Sequence, residues 1–118
     1  MAIDTTELER CFETARAAAK EFSWRIRREW GARVISVRLY GSFARGDATF
    51  ESDVDIVVLV KRRHPRDRDR ASDLAFRIGA FKHEIVLMPM VFSKAEFERL
   101  LKHERAYALA IDRESVKL

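Results

Sequence analysis

The sequence predicts a small α/β domain, with helices packed on a sheet of three or four strands in the order α-β-α-β-α-β-α. Three observations predict it. Apolar residues before Gly31 recur at spacings of three and four, as on one face of a helix. The runs Val34–Tyr40, Val54–Val60 and Glu84–Phe92 are short and rich in β-branched or other apolar residues. Helical and strand patterns then alternate along a chain of 118 residues, a length that supports one hydrophobic core, so residues 1–118 are read as a single domain.

Asp4-Thr5-Thr6-Glu7 has the form of a capping box and opens the first helix. Its core face is Leu8, Phe12, Ala15, Ala19, Phe22, Ile26 and Trp30, and Gly31 stands at the C-terminal stop position. Val34–Tyr40 follows as a strand, ended by Gly41 and Ser42, with Phe43 to Arg45 as the first turn of a short helix. Val54–Val60 is the clearest strand; it is apolar on both faces past Asp55, which predicts a central strand covered on both sides. The segment 61–70 contains Pro65 and starts as a loop, after which Ala71 to Phe81 resumes helical spacing through Leu74, Ala75, Ile78 and Phe81. Glu84–Phe92 is a third strand, and Pro89 within it argues for an edge position or a bulge. Ser93-Lys94-Ala95-Glu96 is a second capping box, opening a helix with Phe97, Leu100, Leu101, Ala108 and Ile111 inward. Ser115 to Leu118 is compatible with a short final strand.

The net charge of +4 is local. Residues 61–70 hold six Lys/Arg against two Asp, so the rest of the chain is neutral. This stretch has no interleaved aromatic for base stacking, and its alternating Arg-Asp pattern is that of a self-paired, solvated surface, which argues against nucleic acid as the partner. Cys11 is the sole cysteine, so no internal disulfide can form; a reducing cytoplasmic setting and a small apolar role on the first helix are expected. No apolar run has spanning length and no signal peptide is visible, so no membrane association is expected. His64, His83 and His103 have no spacing suited to a metal site. Trp24 falls off the core face of its helix and, with Tyr107, is a candidate for a patch shared with another protein.

The chemistry lies in residues 41–55. Gly41 permits a sharp reversal and close approach after the strand, Ser42 offers a hydroxyl, and the first amides of a helix favour an anion, phosphate above all. Asp53 and Asp55 are two apart on a strand and project to one face. Adjacent carboxylates repel unless a cation sits between them, and hard oxygen ligands suit Mg²⁺ or Mn²⁺. Taken separately, the Gly-Ser pair is also a plain turn and the acids are also a solvated strand entry.

Together, Gly41-Ser42-Phe43-Ala44-Arg45-Gly46 and Ser52-Asp53-Val54-Asp55 resemble the signature of the DNA polymerase beta-type nucleotidyltransferase superfamily, most closely its minimal nucleotidyltransferases. The resemblance is firm over about residues 34–60 and extends beyond them in element order and length. It implies a polymerase-beta-like fold. Gly41 and Ser42 would cradle the β- and γ-phosphates of ATP, and Asp53 and Asp55 would bind two divalent ions; an acceptor hydroxyl would attack the α-phosphorus as pyrophosphate leaves. The family's third carboxylate lies on the next long strand. Glu84 is the acid available there, either as third metal ligand and catalytic residue or as a solvated strand entry. Arg45 either contacts a phosphate or pairs with Asp47. The resemblance further implies a small helical partner of the HEPN type, with an antitoxin-like chain transferring AMP to a hydroxyl on that partner. A catalytically weak module that masks its partner is the alternative. Oligomeric state is left open.

Overall fold

The computed structural model describes residues 5–103 and 105–118; Asp4 of the first capping box and Glu104 lie outside them. Helix α1 spans Thr5–Trp30, and the apolar row expected from its spacing is the one it buries, with Ala15, Ala19, Phe22 and Ile26 at most 1% exposed. Leu8, Phe12 and Cys11 are half-buried at its start. Gly31 terminates the helix with φ 57°, a conformation that suits glycine, and a short 3₁₀ turn, Gly31–Arg33, leads into β1, Val34–Tyr40.

The remaining elements are α2 (Ser42–Arg45), β2 (Val54–Val60), α3 (Asp67–Ala75), β3 (Leu87–Ser93), α4 (Lys94–His103), α5 (Arg105–Glu114) and β4 (Val116–Lys117). The strands form one mixed sheet in the order β3-β2-β1-β4, with β1 antiparallel to β2 and β4, and β2 parallel to β3. The central place expected for β2 and the edge place expected for Pro89 are both observed. Val54, Ile56, Val58 and Val60 face α1 and α3 in the main core, where Ala71, Leu74, Ala75 and Ile78 also pack. The opposite face carries Val57 and Leu59, which border Phe97 and Ile111 of α4 and α5. The sheet is therefore covered on both sides along most of β2.

Two boundaries differ from the sequence reading. Helix α3 begins at Asp67, four residues before Ala71, because Asp67 is drawn in by a charge. Arg33 donates two hydrogen bonds to its carboxylate, at 3.0 and 2.9 Å, and the His64 amide donates a third at 2.7 Å. The basic segment is thus partly interior, since Asp67 is only 2% exposed. Elsewhere the segment pairs with another element rather than with itself: Arg63 and Arg68 both reach Glu96 of α4, at 2.9 and 3.5 Å.

The second difference follows α3. From Phe76 to His83 the helix widens into π geometry. Wider turns rotate the apolar row out of phase, so Ile78 stays buried but Phe81, expected in the core, is 82% exposed. Gly79 is the pivot: the amides of Glu84 and Ile85 both donate to its carbonyl, and a Cβ there would lie 2.6 Å from the Ile85 carbonyl oxygen. On the C-terminal side the expected helix is described on both sides of Glu104, as α4 and α5. The Ser93–Glu96 capping box that opens α4 is reciprocal, with bonds of 3.1 and 3.2 Å.

Candidate active site

Antiparallel pairing sets Tyr40, the last residue of β1, directly opposite Asp55 near the start of β2. The turn after β1 and the acids before and within β2 therefore meet at one end of the sheet. Gly41 makes the turn with φ 78° and ψ −153°, in a region that favours glycine, and caps α2. It is also the point of closest approach. A Cβ placed on Gly41 would lie 3.3 Å from Cγ of Asp55 and nearer still to Oδ2. Only a residue without a side chain lets the turn lie against this carboxylate.

The turn is anchored from behind. Phe43 is buried and meets Phe12 of α1 edge-on, with ring centroids 5.1 Å apart. Amides of Arg45 and Gly46 close the short helix on the carbonyls of Gly41 and Ser42. Its first amides have no partner within the helix. The loop before the acids is also fixed, since Ser52 accepts the Thr49 amide at 2.9 Å and returns its own to the Thr49 carbonyl at 3.1 Å.

Asp53 is exposed and Asp55 half-buried. The Asp55 carboxyl is pushed above the ordinary carboxylate range, first by burial and then by the neighbouring charge of Asp53, while Arg45 pulls it down. The pair thus lies close enough to interact unfavourably when both acids are ionised. Two neighbouring carboxylates are hard oxygen donors of the kind Mg²⁺ takes, and Mg²⁺ needs no all-protein cage.

Glu84 takes a different place from the one expected. It is not in β3, which starts at Leu87, but caps the π segment with φ 57° and is exposed. Among the described residues no three acidic, histidine or cysteine side chains are grouped to hold one ion. The parallel register instead sets Met88 beside Asp55, and Met88 is 48% exposed. Where a third carboxylate could have joined the pair, the strand presents a thioether. Counting from the true strand start would have found this, but the π segment hid that start.

Arg45 is engaged with acids: Nε donates to Asp47 at 3.2 Å and Nη1 to Glu114 on α5 at 3.4 Å. Asp47 was within view of the sequence reading. Glu114, 69 residues away, carried no local signal.

A model of the nucleotidyltransferase domain matches residues 19–114. The chain belongs to the nucleotidyltransferase domain family. Two relatives from Methanocaldococcus jannaschii carry the name "putative protein adenylyltransferase". One is 34% identical over 76 residues, 64% of this chain and 76% of its own. The other is 32% identical over 88 residues, 69% of this chain and 60% of its own. A solved Sulfolobus solfataricus structure, named as a putative nucleotidyltransferase, aligns over 99% of this chain and 89% of its own, with TM-score 0.49 and 18% identity. Family membership makes this nucleotidyltransferase an enzyme of the minimal kind, and the matched residues include both Gly41 and Asp55. No helix among the described residues is long and apolar enough to cross a membrane.

Proposed function

We propose that the chain is a metal-dependent adenylyltransferase that moves AMP from ATP to a hydroxyl on a partner protein. The observation that carries this reading is the approach of Gly41 to Asp55, which sets the helix-opening turn against one acid of the carboxylate pair. The relatives named for protein adenylylation point to the nucleotide and to the kind of acceptor.

Asp53 and Asp55 would hold Mg²⁺ or Mn²⁺, which when bound offsets charge on the triphosphate and on the attacking and leaving oxygens. Gly41 lets the β- and γ-phosphates approach the backbone, while the Ser42 hydroxyl and the opening amides of α2 receive their oxygens. Asp55, half-buried against the turn, would hold the ion beside the phosphates. Catalysis by these residues is positioning and charge neutralisation, with pyrophosphate leaving as the new phosphate ester forms. Glu84 has no part in this arrangement.

The acceptor belongs, in this reading, to a small helical partner of the HEPN type in the cytoplasm, with the chain in an antitoxin-like role. Trp24, Phe76 and Phe81 support a protein partner: they are 57%, 62% and 82% exposed, on α1 and the π segment that packs beside it. Met88 in the place of a third acid favours a second reading, a catalytically weak module that masks the same partner. Transfer of label from α-labelled ATP to the co-expressed partner separates the two. Mg²⁺-dependent labelling that disappears in Asp53→Ala and Asp55→Ala is expected. Neutralisation of the partner by the double variant, with no labelling by the native chain, would favour masking.

A further inference from the structure

The last turn of α5 lies against the active-site end of β1 and α2 through two arginines. Arg38, on the same sheet face as Asp55, reaches Ser115 at 3.3 Å and Asp112 at 3.8 Å. Arg45 reaches Glu114 at 3.4 Å and Asp47 at 3.2 Å. Arg45 is three residues after Ser42 on α2, so the two side chains lie on one side of that helix. Its charge also acts on Asp55. The guanidinium therefore stands at the mouth of the site, neutralised by two carboxylates.

We infer that Glu114 is a positioning residue: it holds Arg45 as a counter-charge that the triphosphate must displace, and so sets nucleotide affinity through α5. This inference rests on the reading of the site as a Mg-ATP site. The exchange is electrostatically balanced, since a phosphate oxygen replaces a carboxylate oxygen on the same guanidinium. Arg45 and Glu114 are 41% and 39% exposed, so the pair is a weak, displaceable one rather than a structural clamp. A consequence is reciprocal coupling, because whatever moves the end of α5 changes ATP affinity and ATP binding loosens the end of α5.

The test is a double-mutant cycle with Mg-ATP titrated against the full chain at low salt, together with KM and kcat for transfer. Glu114→Gln should tighten ATP binding by about twofold to fivefold and lower KM with kcat unchanged. Arg45→Ala should weaken binding, and adding Glu114→Gln to it should produce no further change. A gain that persists in the Arg45→Ala background, or no gain in the native background, overturns the inference while leaving Mg-ATP binding intact. Absence of Mg-ATP binding by the native chain overturns both this inference and the reading beneath it.

Discussion

At the scale of single residues, the site sets function against stability. Asp55 has a raised pKa, so the folded state binds its proton more tightly than the unfolded chain does. Its contribution to stability is therefore favourable below the ordinary carboxylate value of about 3.9 and is lost as pH rises through the raised one. At neutral pH the ionised group is a cost unless a cation offsets it. Asp55→Asn is expected to raise the melting temperature of the metal-free protein by roughly a few degrees and to abolish the increase that Mg²⁺ gives the native chain; differential scanning fluorimetry with and without Mg²⁺ reads both. Gly41→Ala has the opposite character. The methyl group would collide with Asp55 at a positive φ, so label transfer should fall about 100-fold or more, since displacement of a reacting group by about 1 Å has that effect. For Glu84→Gln, transfer within about twofold of native is expected, because that side chain is exposed at a helix cap rather than beside the pair.

At the scale of elements, two contacts decide how β3 and α3 sit. The bidentate pair of Arg33 with Asp67 ties the end of α1 to the start of α3, with Arg33 also lying over Trp30 at 5.0 Å. Burial alone would raise the Asp67 pKa, but hydrogen bonds from Arg33 and the His64 amide outweigh it, and the carboxyl is held below its ordinary range. Its stabilisation is thus present above about pH 3.9 and is lost as pH falls through the depressed value. Arg33→Met should cost about 3–5 kcal/mol in urea denaturation at pH 7, because Asp67 is left charged and buried, and much of that should return in Arg33→Met/Asp67→Leu. Gly79→Ala should also destabilise, by about 1–3 kcal/mol, since its methyl would meet the entry to β3. Neither contact was legible beforehand. Asp67 lay in a run of alternating Arg and Asp that reads as solvated, and a change from α to π winding leaves no mark in residue spacing.

At the scale of the whole molecule, β2 separates two charged ends. The carboxylates are at its start, and the basic segment begins at its exit, roughly 20 Å away at about 3.3 Å per residue. Replacing Arg66 and Arg70 together with Gln should therefore leave AMP transfer within about twofold of native in the same labelling assay. A loss greater than tenfold would mean that the basic end takes part in holding a substrate. The architecture also limits what the site can contain. Because β3 runs parallel to β2 in a register set by Leu87 opposite Val54, the residue beside Asp55 is Met88. A one-residue shift would turn that side chain to the other face.

What the chain alone made readable was local: the α1 row, the central apolar strand, the Ser93 cap, and the Gly-Ser turn and Asp-Val-Asp pair whose residue types are tied to one kind of chemistry. These depend on neighbours within a turn or a few strand positions, so periodicity and side-chain chemistry suffice to see them. The tertiary structure decided the rest. It set Gly41 against Asp55, put Met88 where an acid was expected, left Glu84 at a helix cap, and brought Glu114 to Arg45. Each of these depends on strand register or on packing between distant segments, which no local pattern encodes.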